Sequence, residues 1–274
     1  MDVIPLRAGV KLPQIIDRVE WSATEAGNAN SWGGGPGQST SDRIGKYLSW
    51  TEDVEPQLRN VFDGEFVAEA IRTTGYWTLR TISPDVVRVT TLVRTEYEGR
   101  IRFLNALAAQ LKAEQARWDS YAAPLIVPDT NVFLDPDTSP EQVDWAAEID
   151  ATINVRVVVP LVVVRELDRL KRQGNNTTGR LARRAIKWLA ACLPDDVNAH
   201  SEVLNDARTP GATIETYLHG GVYRPEEADG IIIDFCRWLR AIAGLPVTLV
   251  TRDLGMSVLA RAAGLSVALR LPEP

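Results

Sequence analysis

An α/β fold is predicted for residues 123–274, a parallel sheet flanked by helices in three layers, behind a separate, mainly helical domain over residues 1–122. Three observations predict it. After Tyr121, short β-branched runs alternate with segments whose apolar residues recur every three or four positions, the pattern of strands joined by helical crossovers. Before Tyr121 no such alternation is legible and only helical spacing remains. The chain has 274 residues, and a single core seldom grows beyond roughly 250.

Composition narrows the class. The chain is 45% hydrophobic and 24% charged with a formal charge of −6, which excludes collagen, coiled coil and disordered polymer. The longest apolar stretch, Val157 to Val164, contains Pro160 and is far short of the about 20 residues that span a bilayer. The opening MDVIPLRAGVKLP lacks the apolar core and small-residue cleavage site of a signal peptide. A cytoplasmic protein with no membrane partner is expected. Cys192 and Cys236 fall in helix-like apolar patterns and read as buried thiols, with no Cys/His spacing suited to zinc.

In chain order, Asn28 to Ser41 (NANSWGGGPGQSTS) is a Gly/Ser-rich loop. Its glycines 33, 34, 35 and 37 do not make a phosphate loop, because no Lys-Ser or Lys-Thr pair follows. Val54–Thr73 and Ser83–Trp118 carry helical spacing, and Trp21, Trp50, Trp77 and Trp118 are expected to anchor the core. Pro124–Pro128 is a short apolar strand, and Val155–Val163 is a second buried strand or strand-turn. Helices are predicted at Val164–Arg172, Thr178–Cys192, Glu226–Ala243 and Leu254–Ala263, with further strands at Val247–Thr251 and Ser266–Leu271. Pro194 to Pro225 reads as a long loop, a lid or a substrate wall, carrying His200 and His219 as surface residues.

Open sheets of this kind bind ligands at the carboxyl ends of their strands, and those ends are acidic here. Asp129 follows the first strand, with Thr130 and Asn131 behind it. The second strand leads to Glu166, Val247–Thr251 runs into Arg252 and Asp253, and Asp229 opens the helix before that strand. Four converging carboxylates repel one another and resist burial, at a cost of several kcal/mol, unless a cation neutralises them. A hard divalent ion such as Mg²⁺ or Mn²⁺ fits oxygen ligands and commonly bridges carboxylates to a phosphate. Phosphodiester chemistry is the expectation.

These residues carry a family resemblance. Asp129-Thr130-Asn131-Val132-Phe133-Leu134 after an apolar strand, Glu166-Leu167-Asp168 at a helix start, Asp229-Gly230-Ile231-Ile232, and Leu249-Val250-Thr251-Arg252-Asp253 occur in the order found in PIN-domain nucleases. The stretch from about Pro124 to Leu271 resembles one complete PIN domain. The resemblance implies that Asp129, Glu166, Asp229 and Asp253 are both the catalytic and the metal-binding quartet, with Asn131 and Thr251 supporting it by hydrogen bonds. It further implies that one or two Mg²⁺ or Mn²⁺ ions polarise the scissile phosphate and acidify a bound water, leaving a 5′ phosphate and a 3′ hydroxyl.

Neighbouring acids read differently. Asp234 lies about 140° round the helix from Asp229 and is expected to pair on the exposed face with Arg237 or Trp238. Glu226 and Glu227 suit the first helical turn, while Asp168, Asp135 and Asp137 read as solvated or capping groups. Between Arg165 and Lys187 the chain carries eight basic residues against two acidic ones. Arg180, Arg183, Arg184 and Lys187 share one helical stripe, read as an RNA-binding face beside an apolar stripe of Leu181, Ala185, Trp188, Leu189 and Cys192. Gly174–Gly179 (GNNTTG) reads as a mobile loop before that helix. The leading expectation is a metal-dependent endoribonuclease acting on single-stranded or structured RNA, with homodimerisation as a family-level expectation. The alternatives are a structure-specific DNA nuclease and a non-catalytic RNA-binding scaffold. About 120 residues in front of the PIN-like part count against a simple toxin.

Overall fold

A computed structural model describes residues 6, 7, 9–31, 39–62, 64–151, 154–172, 176–192, 202, 203, 212–217 and 227–270. The chain divides into two compact units, Ile4–Ala116 and Arg117–Pro274, with the division inside a long helix. His200, His219, Glu226, Leu271, glycines 33, 34, 35, 37 and 174, and most of the Pro194–Pro225 stretch lie outside the described residues. No helix among the described residues is long and apolar enough to cross a membrane.

The first unit is helical: α1 (Leu12–Ser31), α2 (Thr40–Arg59), α3 (Gly64–Ile71), α4 (Thr74–Thr81) and most of α5 (Val89–Asp119). Ser39 and Asp42 close a reciprocal capping box at the start of α2, and Thr73 caps α4 through the Tyr76 amide. The core buries Ile15, Val19, Tyr47, Val54, Val67, Ile71, Leu104 and Leu111 completely. Three expectations change here. The Gly/Ser-rich loop is shorter than 28–41, because Asn28–Ser31 finish α1 and Thr40 already starts α2. The Val54–Thr73 periodicity is split between α2 and α3. Trp50 and Trp118 are buried, but Trp21 and Trp77 are 40% and 48% exposed and anchor no core.

The second unit is the α/β layer structure. Its sheet runs β3-β4-β2-β1-β5-β6, built from β1 (Leu125–Pro128), β2 (Arg156–Pro160), β3 (Glu202–Val203), β4 (Thr213–Tyr217), β5 (Val247–Thr251) and β6 (Ser266–Leu269). Five strands are parallel and β3 pairs antiparallel to β4. The central strands read LIVP and RVVVP and are buried along their whole length, as strands covered on both faces must be. Helices α6 (Thr130–Phe133), α7 (Trp145–Glu148), α8 (Leu161–Leu170), α9 (Thr177–Cys192), α10 (Ala228–Ala243) and α11 (Leu254–Ala262) supply the cover. Gly244, at φ +64°, takes the left-handed turn that ends α10.

Several boundaries shift. Val155–Val163 is a strand only to Pro160, and α8 begins at Leu161, so Glu166 sits in the second helical turn rather than at a helix start. Thr213–Tyr217, inside the expected long loop, is a buried strand. Cys236 is fully buried, whereas Cys192 is only half-buried.

Candidate active site

β1 lies between β2 and β5, all three parallel. The chain leaves β1 to one side for β2 and β4 and returns to the other side for β5 and β6. Such a switch point opens a crevice beyond the carboxyl ends of the strands, and Asp129 stands there, directly after β1.

Asp129 is 2% exposed and caps the short helix α6 by position. Its backbone amide donates to the Val250 carbonyl at 2.9 Å, extending the β1–β5 ladder by one residue. Its Oδ2 accepts from the Thr251 hydroxyl at 2.9 Å and from the Asn131 amide at 3.2 Å. Thr251 in turn accepts the Asp253 amide at 3.0 Å, so one hydroxyl fixes both acidic segments. Asp253 then caps α11 by accepting the Met256 amide at 3.1 Å. A Cβ at position 255 would come within 3.1 Å of that carboxylate oxygen, so a larger residue there would push on the Asp253 side chain.

Glu166 arrives from α8. Its Oε2 accepts the Thr130 hydroxyl at 2.6 Å, and its Oε1 lies 3.5 Å from Arg169. Asp229 arrives in the first turn of α10 and, like Asp253, stands at the exposed lip of the crevice.

The electrostatics link the four. Burial pushes Asp129 up to about 6; the Thr251 hydrogen bond works against that rise, and the charges of Asp229 and Glu166 add to it. Asp229 is also raised above the ordinary carboxylate range, first by neighbours that crowd water from its carboxyl and then by the charges of Asp253 and Glu166. The crevice therefore stores unfavourable negative charge, the condition that a bound cation relieves.

The donor set is all oxygen, which fits a hard divalent ion. Its arrangement is an open crevice rather than a closed cage: among the described residues no three Asp, Glu, His or Cys side chains stand in metal-holding geometry.

The remaining expectations sort by contact. Asp234 pairs with Arg237 at 3.4 Å on the exposed face of α10, away from the crevice. Asp168 pairs with Lys171 and Arg172 and is held below its ordinary range by those partners. Asp135 receives the amides of Asp137 and Thr138 and also holds Arg252 at 2.9 Å, so it organises the loop after α6. Arg180, Arg183 and Lys187 are exposed on α9, with Arg183 donating to the Lys171 carbonyl at 3.0 Å. Arg184 differs from them in its contacts. Its guanidinium turns inward and donates to the carbonyls of Asp135 and Thr138 at 2.9 and 3.4 Å, which makes it a tie between α9 and the loop. Thr130 was not anticipated as a site residue; the signal was a hydroxyl directly after the first acid, at the start of a helical turn.

The model of a known family, described as the PIN domain, matches residues 126–269, slightly more than half of the chain. No curated protein matches it. Among solved structures, a domain of a functionally unknown protein from Methanocaldococcus jannaschii DSM 2661 is 17% identical over 56% of this chain and 94% of its own, with a TM-score of 0.39.

Proposed function

The chain belongs to the PIN-domain family, and on that premise we propose that it is a divalent-metal-dependent nuclease, acting on RNA as an endonuclease. The observation that carries the reading is Asp129, almost fully buried at the sheet's switch point and raised to about 6 beside further carboxylates. A carboxylate kept there against its own electrostatics is more economically explained as a cation ligand than as packing.

When bound, Mg²⁺ or Mn²⁺ polarises a phosphate and makes water a competent nucleophile near neutral pH. The chain's own residues do the rest. Asp129, Glu166, Asp229 and Asp253 supply the hard oxygen donors. Thr251 and Asn131 hold one oxygen of Asp129 in place, and Thr130 orients Glu166. Exposed Arg180, Arg183 and Lys187 line one side of α9, where they hold a phosphate backbone through charge. A second copy of the chain and a cytoplasmic setting belong to the same reading.

The test is cleavage of a labelled mixed-sequence RNA and a matched single-stranded DNA with Mn²⁺, Mg²⁺ or EDTA, beside Asp129→Asn. RNA cleavage that needs metal and disappears in the variant is expected. Cleavage of DNA alone would replace the substrate class. RNA binding without metal uptake or cleavage would make the chain a scaffold.

A further inference from the structure

The helical unit carries a groove that the nuclease reading does not use. One hollow of about 310 Å³ is walled by α1, α2 and α5 and carries Arg43, Lys46 and Arg94 with no carboxylate in its lining. A second, of about 640 Å³, adjoins it: Ala29 and Lys46 line both. The second hollow is different in kind, lined by Trp21 and Trp50 with the carboxylates Glu25 and Asp53.

The two hollows share an aromatic floor. Tyr97 in the first and Trp50 in the second have ring centroids 5.8 Å apart. Trp21 is 40% exposed and so presents ring surface to the second hollow, with Arg18 5.9 Å from its ring. Tyr97 is 2% exposed and its hydroxyl is buried with no hydrogen-bond partner among the described residues, so the ring and not the hydroxyl is what it offers the hollow.

A cationic hollow joined to an aromatic one matches a nucleotide: a phosphate is held by charge and a base stacks on a side-chain ring. We propose that this groove seats one nucleotide of a single-stranded RNA, its phosphate among Arg43, Lys46 and Arg94 and its base against Trp21. The proposal rests on reading the chain as acting on RNA. Glu25 and Asp53 beside the ring are acceptors only, so they favour a base with an exocyclic amino group over uracil, whose one ring N–H lies between two carbonyl oxygens that repel a carboxylate.

The experiment measures anisotropy of labelled 12-nucleotide C and U homopolymers on full-length Asp129→Asn in EDTA, where nothing is cut. Arg43→Glu with Arg94→Glu is expected to weaken binding of the C strand by roughly 10-fold or more and to lower the salt slope by about 0.7, the share of one phosphate on a single strand. Trp21→Ala is expected to weaken it roughly 5-fold or more, while Arg102→Glu and Trp77→Ala, exposed elsewhere on the same unit, leave it within 2-fold. The C strand should bind more tightly than the U strand, and Glu25→Gln with Asp53→Asn should narrow that gap.

Circular dichroism and the unfolding midpoint verify that each variant is folded. Groove variants no weaker than Arg102→Glu, or equal displacement by free cytidine monophosphate at the same nucleotide concentration, would overturn the proposal. Wild-type cleavage of RNA with an inert groove would leave the nuclease standing without it. Groove-dependent binding with no cleavage would do the reverse.

Discussion

Thr251 on β5 donates its hydroxyl hydrogen to Asp129 at the end of β1, 2.9 Å away, while the same oxygen accepts the backbone amide of Asp253 at 3.0 Å. The amide fixes the direction of the hydroxyl hydrogen, so Asp129 is addressed by an oriented donor. Removing that donor leaves a buried carboxylate short of a partner. Thr251→Val, which keeps the shape, is expected to lower Mn²⁺ affinity by about 10- to 100-fold and to cost about 1–3 kcal/mol of stability. Thr251→Ser should retain most of both. Calorimetric titration with Mn²⁺ measures the first effect, and unchanged affinity in the valine variant would refute the positioning role.

Asp129 also sets a pH signature. Its folded-state value, about 6, lies above the ordinary carboxylate value near 3.9. Between those values the folded chain binds a proton that the unfolded chain does not. The metal-free protein should therefore gain stability from this group as pH falls from about 7 to 4, by at most about 3 kcal/mol. Other carboxylates that are stabilised when charged oppose the gain, so the clean measure is a difference. Asp129→Asn should be more stable than wild type at pH 7 in EDTA, and the gap should close toward pH 4. Saturating Mn²⁺ should reverse the order at pH 7, because only the wild type gains binding energy. An equal gap at both pH values would remove the buried-charge account.

On the proposed RNA-binding reading, the basic side of α9 is expected to separate into two roles. Arg184→Ala breaks the tie to the Asp135 and Thr138 carbonyls and is expected to cost about 1–3 kcal/mol while altering the salt dependence of RNA binding little. Arg180→Ala and Lys187→Ala should do the opposite, lowering the salt slope by about 1 each with stability within about 0.5 kcal/mol of wild type. Titrations at three salt concentrations distinguish them. An Arg184 variant that behaves like Arg180→Ala would return Arg184 to the binding face.

Thr130 donates to Glu166 at 2.6 Å across the α6–α8 contact. Without that hydroxyl, Glu166 keeps, among the described residues, the Arg169 contact at 3.5 Å, one turn along its own helix. Thr130→Val is expected to lower kcat by about 10-fold or more with little change in RNA affinity, and Thr130→Ser should recover it. An RNA-affinity defect matching the loss in rate would show that Thr130 acts through folding or binding instead.

What the sequence made legible follows from period and length. VTLVT, LIVP and the helix over α9 are continuous patterns read within a few residues of their observed bounds. The acids at the strand ends were legible because parallel topology places strand ends together. Thr213–Tyr217 was not, since TIETY puts a carboxylate in a buried strand and sits in a stretch rich in turn residues. The inward turn of Arg184 was also invisible. A helical stripe fixes the direction of a Cβ, whereas the contact is made five bonds further out, on a loop whose path depends on Asp135. Trp21 shows the same limit in reverse, because a large apolar residue at helical spacing does not reveal that 40% of it stays exposed.

The carboxylate in TIETY has a partner that no local pattern announces. Glu215 and Arg156, both 2% exposed at their side chains, meet at 2.5 Å across the β2–β4 pair. Arg117 takes the other oxygen of Glu215, and the Arg156 guanidinium lies 4.4 Å from the Trp118 ring. Arg156 opens β2, so this cluster sits toward the amino end of the strand, opposite the acidic crevice. Removing the carboxylate leaves the Arg156 charge buried without its counter-ion, at about 3–5 kcal/mol. Glu215→Gln is expected to lose that much in urea unfolding, and Glu215→Leu with Arg156→Met should lose less than Glu215→Gln alone, since the pair is then replaced by apolar groups. Mn²⁺ affinity should be unchanged in both variants while they are folded. A double variant less stable than Glu215→Gln would mean that the ion pair contributes net stability here, beyond balancing its own desolvation.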